Sequence, residues 1–141
     1  MRERSKAREW TLRVLYAWES RQRQDERADL VTTMEDFLAR LSVGPTRRPY
    51  LRRLVETLDS SLPEIDAELQ RCLTNWRLER VSAVDRNVLR IAAAEMLRLD
   101  DVPPRVSIQE ALALAEKYGT ERSPAFVNGV LDALMRRLPR R

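Results

Sequence analysis

The segment at residues 84–97 constrains the fold most, because Val84, Val88, Leu89, Ile91, Ala92, Ala93, Met96 and Leu97 put apolar side chains on more than one face of a helix. A helix that is apolar on several sides is buried on several sides, so other elements have to surround it. Ser82 with Asp85 three residues later has the spacing of a capping box, Asp standing in for the usual Glu or Gln. The helix is expected to reach about Leu99, with Pro103 and Pro104 closing the stretch. With only three glycines and no alternating Val/Ile/Thr run, the chain gives strands little support. The expected class is all-α, with no sheet.

Six further helical segments fit around this central one, about seven in all. The first, near residues 3–20, carries Ala7, Trp10, Val14, Ala17 and Trp18 as an apolar stripe, with Leu12 and Tyr16 on its flank. A polar linker at 21–27 precedes a second helix with Leu30, Met34, Phe37, Leu38 and Leu41, stopped by Gly44 and Pro45. The third, from about residue 47, has Pro49 in its first turn and carries Leu51, Leu54, Val55, Leu58 and Leu62. Ser61 beside Pro63 opens a short fourth helix with Ile65, Leu69, Cys72 and Leu73. Residues 74–81, TNWRLERV, break the pattern and form the expected joint between an N-terminal half (about 1–73) and a C-terminal half (about 82–141).

Beyond the central helix, Ser107 and Glu110 form a second capping box, opening a helix with Ile108, Ala111, Leu112, Ala115 and Tyr118 that Gly119 stops. In the last segment Ser123 before Pro124 reads as an N-cap followed by a first-turn proline, and Val127, Val130, Leu131, Leu134 and Leu138 form one apolar face. Gly129 in that helix costs roughly 0.5–1 kcal/mol against alanine, which implies that something packs close to it.

A chain of 141 residues has the size of one domain. Its single cysteine, Cys72, leaves no internal disulfide or cysteine-rich zinc site and fits a core position. Histidine is absent, which removes histidine-based general bases, Ser-His-Asp and Cys-His schemes and most zinc chemistry. No catalytic residue, metal site or cofactor is expected. The N-terminus has no signal-peptide run, and no stretch approaches the ~18 apolar residues of a membrane span, so the expected location is the cytoplasm, with no membrane partner. Lys and Arg total 26 against 22 Asp and Glu, a net charge of +4 that permits a polyanionic partner without demanding one. All basic residues but Lys6 and Lys117 are arginine, a bias that codon usage in a GC-rich genome and guanidinium chemistry both produce.

Placement of the charges says more. The opening RERSKAR brings Arg2, Arg4, Lys6 and Arg8 into eight residues, a density that suits successive phosphates or, equally, a solvated helix start. Cations there oppose the helix dipole, which favours the ligand reading slightly. Arg86 and Arg90, four apart beside Asp85, put two guanidinium groups on one helix face, where intramolecular ion pairs are the alternative. Arg122 and Phe126 stand at the entrance of the last helix, whose free N–H groups favour anions. Phe126 either closes the core or stacks on a base.

These motifs, in order, resemble the NusB family of bacterial transcription antitermination factors. The likeness runs through WTLRVLYAWE, NWRLERVSAVDRNVLRIAAAEML and VPPRVSIQEALALAEKYGTERSPAFVNGVLD, and between Leu30 and Leu73 it is one of helical pattern only. The resemblance implies two small packed helical bundles, no enzymatic activity, and binding of the single-stranded boxA element of ribosomal RNA leader transcripts together with NusE, a small-subunit ribosomal protein, within an RNA polymerase antitermination complex. It further implies RNA contacts by Arg2, Arg4, Lys6, Arg8, Arg86, Arg90, Arg122 and Phe126, and a NusE-facing surface with Tyr16 and Asp85. Arg122 stands where relatives often carry an acidic or polar residue, and Ser5 interrupts what is often a denser arginine run. The alternatives are a helical bundle that binds proteins but no specific RNA, and an RNA-binding appendage of a methyltransferase, for which the chain has no Gly-rich cofactor loop.

Overall fold

Six α-helices and one 3-10 turn make up the described residues, 2–139, of this computed structural model: α1 (Arg2–Arg23), α2 (Leu30–Arg40), α3 (Arg48–Cys72), the 3-10 turn Leu78–Arg80, α4 (Ala83–Arg98), α5 (Pro104–Tyr118) and α6 (Ser123–Arg137). The class is all-α, with no strand among the described residues. None of these helices is long and apolar enough to cross a membrane. The chain divides into two compact units, 1–60 and 61–141. The expected third and fourth helices follow one another in α3 as two helical stretches joined at a kink, where Ser61 has non-helical backbone (φ −128°, ψ 15°), and the boundary between the units falls at that kink. Pro63 lies just beyond, where its missing N–H and ring disfavour a straight helix.

In the first unit α1 packs on α2. The buried face of α1 is Ala7, Arg8, Thr11, Leu12, Val14 and Leu15, rotated from the expected stripe, whose Trp10, Ala17 and Trp18 are only half-buried. The rotation is possible because the Thr11 hydroxyl donates to the Ala7 carbonyl (2.8 Å), so a polar side chain sits in the core without an unpaired group. Trp10 instead meets Phe37 edge to face, centroids 6.5 Å apart. Asp29 caps α2 by accepting from the Thr32 N–H (2.7 Å), and that bond to the ionised form draws its carboxyl below the usual aspartate range. α2 ends at Arg40, a few residues before Gly44.

In the second unit α4, α5 and α6 pack against one another. Ser82 caps α4, its hydroxyl accepting from the Asp85 N–H (3.3 Å), and every residue from Arg86 to Met96 is buried, as the all-round apolar pattern requires. The capping box expected at Ser107 does not form. α5 begins at Pro104, whose fixed φ and missing N–H suit a first turn, and Ser107 lies buried inside the helix. Ser123 likewise sits within α6, with Arg122 as its N-cap residue, and the Ser123 hydroxyl reaches back to accept from the Thr120 N–H (2.9 Å). That bond explains Gly119, where an added Cβ would lie 2.6 Å from the Ser123 Cβ and 2.8 Å from the Ala115 carbonyl oxygen. Gly129 has no such reason. It is exposed, and apart from its chain neighbours and the backbone of its own helix no described atom lies within 4 Å of where its Cβ would be.

Candidate nucleic-acid interface

The basic opening does not form a single row of charges. Arg4 and Arg8, four apart on α1, converge on the ring of Tyr50, with guanidinium carbons 4.5 and 5.4 Å from its centroid. Arg53 of α3 joins them at 5.9 Å. Pro49 lies in the first turn of α3, Tyr50 next to it is buried, and Arg53, three residues on and so on the same side of the helix, stands over its ring. An open cleft of about 400 Å³ lies here, lined by Glu3, Arg4, Thr46, Pro49, Tyr50 and Arg53. The one acid in the lining, Glu3, accepts from the Thr46 hydroxyl and from Arg47 Nε (3.4 Å). The Thr46 bond first, and then the Arg47 charge, hold its carboxyl below the usual range, so it stays ionised and tied to the α3 entrance.

The remaining basic residues of α1 part company. Arg8 is 3% exposed, Arg2 is exposed, and Lys6 turns to Glu9 (3.6 Å). Sequence reasoning misses Tyr50 and Arg53. The available signal is the pairing of an aromatic with an arginine one turn apart behind a helix-starting proline.

In the second unit, Arg86 and Arg90 do not present an outward fork. Arg86 is buried and donates to the main-chain carbonyls of Glu79 (3.3 Å) and Val81, tying the 3-10 turn to the first turn of α4. Arg90 is buried too. Its Nε and Nη2 make a two-pronged pair with Asp66 of α3 (both 2.9 Å), and Nη1 donates to the Asn87 side chain (3.0 Å). The helix face that carries them points into the unit because α4 is buried on all sides.

Asp85 is half-buried at the α4 entrance, and its Oδ1 has no hydrogen-bond partner among the described residues. At the entrance of α6, Arg122 is exposed and Phe126 is half-buried. Tyr16, in the first unit, is 53% exposed. The geometry thus gathers Arg4, Arg8 and Arg53 at one ring, sets Arg122 beside Phe126 on a second helix end, and commits Arg86 and Arg90 to the fold.

Residues 5–136 match the sequence model of the NusB family. A transcription antitermination protein NusB of Pseudothermotoga lettingae is 42% identical over 94% of this chain and 90% of its own length. One of Chloroherpeton thalassium is 38% identical over 92% of this chain, which spans only 60% of that relative. Among solved structures, the chain superposes with a TM-score of 0.83 and 29% identity, over 98% of its length and 99% of its counterpart, on a chain from a crystal structure of the antitermination factors NusB and NusE in complex with double-stranded RNA. By sequence and by fold, the chain belongs to the NusB family.

Proposed function

We propose that this protein is a transcription antitermination factor that acts in the cytoplasm without catalysing a reaction, binding single-stranded boxA RNA together with NusE and so joining an RNA polymerase antitermination complex. The observation that carries the reading is the convergence of Arg4, Arg8 and Arg53 on Tyr50 beside an open cleft. Guanidinium groups gathered at one place build a local positive potential that an RNA phosphate relieves. Arg2, Arg4, Lys6, Arg53 and Arg122 meet the backbone directly. Arg8 is too buried to do so and adds potential behind Arg4 and Tyr50. Phe126 offers part of its ring for stacking, which is sequence-tolerant, while base edges beside it are read by hydrogen bonds. Arg86, bonded to the carbonyls that precede α4, shapes the helix entrance that presents Asp85 to NusE, Arg90 braces α4 from within the fold, and Tyr16 faces NusE from α1.

Fluorescence anisotropy with labelled RNA tests this. The protein with NusE binds boxA RNA more tightly than either protein alone, and at least about tenfold more tightly than a scrambled sequence of equal composition. Equal affinity for boxA and scrambled RNA overturns the reading in favour of a protein adaptor without sequence-specific RNA binding.

A further inference from the structure

The cleft beside Tyr50 holds one group that phosphate binding does not explain. Its lining brings Arg4 and Arg53 together with Pro49 and Tyr50, which suits the charged backbone and the apolar ring of a nucleotide, but it also contains the carboxylate of Glu3. At about 400 Å³ the cleft lies in the range of small-ligand sites, roughly 300–1,000 Å³, and has room for one nucleotide. A carboxylate among arginines repels phosphate whatever the sequence of the RNA, so through charge alone it lowers affinity uniformly. What it adds is an acceptor. A guanidinium group carries five donors and no acceptor, so the arginines cannot receive an N–H from a base.

Glu3 is not a loose surface acid. The Thr46 hydroxyl and Arg47 Nε (3.4 Å) both donate to its Oε2, which holds the carboxylate on the cleft wall. Among the described residues Oε1 accepts no hydrogen bond, and the side chain is 43% exposed. An ionised oxygen that is held in place, open to solvent and set in a nucleotide-sized cleft accepts an N–H from a ligand in a charge-assisted bond. The N4 amine of cytosine supplies that donor, whereas uracil carries a carbonyl oxygen at the same position, which the carboxylate repels.

We propose that Glu3 is a specificity-determining residue of this cleft, its Oε1 accepting from the exocyclic amine of one RNA base and so favouring cytosine over uracil. The inference deepens the RNA-binding reading and rests on it. Fluorescence anisotropy of the full chain with labelled octamers of cytidylate and of uridylate, and with boxA RNA as reference, tests it. The unsubstituted protein binds the cytidylate octamer at least about fivefold more tightly than the uridylate octamer. Glu3→Ala and Glu3→Gln both remove that preference, because alanine has no acceptor and the glutamine amide can turn its NH2 towards the uracil carbonyl. Glu3→Gln also keeps the size of the side chain and an oxygen for Thr46, so its loss of preference reads the carboxylate and not the fold.

An equal rise in affinity for both octamers in Glu3→Ala overturns this inference, by reducing Glu3 to a charge that dilutes the arginines. A cytidylate preference that survives both substitutions overturns it too, as does boxA binding by an unsubstituted protein that does not distinguish the octamers or binds neither. Failure of the unsubstituted protein with NusE to bind boxA RNA overturns it together with the proposed function.

Discussion

Arg90 is nearly buried and is satisfied by a carboxylate on another helix, so the cost of removing that carboxylate falls on the charge left behind. Asp66→Ala should destabilise the protein by about 2–3 kcal/mol in chemical denaturation, below the ~3–5 kcal/mol of a fully buried pair because Asp66 is partly exposed. A loss under about 0.5 kcal/mol, the range of ordinary surface substitutions, would place Arg90 in water. The four-residue spacing of Arg86 and Arg90 correctly puts them on one face, but spacing does not say where a face points. The direction is present in another part of the pattern: a helix apolar on all sides buries its arginines along with its leucines. Asp29 gives a pH test. Its folded pKa is drawn below the ordinary value, so the stabilisation it adds is complete above the unfolded aspartate range and is lost as pH falls through the lowered folded value. Asn also caps helices but does not titrate, so the stability of Asp29→Asn should depend less steeply on pH in that acid window. Identical acid limbs for the two proteins would contradict the assignment.

At the scale of elements, helix ends are unevenly legible in the sequence, and the failures share a cause. Ser82 caps α4 as its spacing implies, whereas Ser107 and Ser123 lie inside helices, because a proline at the helix start and a hydroxyl reaching backwards take over from the expected cap. Local chemistry offers two starts in each case, and tertiary burial of the serines chooses between them. The kink at Ser61 is legible from Pro63, and so is the helix on either side of it, which the apolar spacing carries from Leu51 to Leu62 and from Ile65 to Leu69. The two glycines at the end of α5 and within α6 make opposite predictions. At Gly129 the surroundings are open, so Gly129→Ala should stabilise by roughly 0.5–1 kcal/mol through helix propensity. At Gly119 a Cβ would press on Ser123 and the Ala115 carbonyl, so Gly119→Ala should lower the melting temperature. Equal shifts in one direction would show that propensity, not local space, governs both.

For the whole molecule, class and element order are legible because period and breakers are local properties of sequence. The gathering of Arg4, Arg8 and Arg53 on Tyr50 is not, since it depends on where α3 brings Tyr50 relative to α1, and no spacing within either helix encodes that. The central claim is that this gathering exists for RNA phosphates. The most direct measurement is the salt dependence of boxA RNA binding by the protein with Arg2, Arg4, Lys6 and Arg53 all replaced by alanine, compared with the unsubstituted protein. Every phosphate that is no longer neutralised takes about 0.7 from the slope of log K against log salt for a single strand, so the substituted protein should bind weakly to boxA and scrambled RNA alike, with a markedly flatter slope. An unchanged slope and affinity in a protein that melts normally would contradict the account.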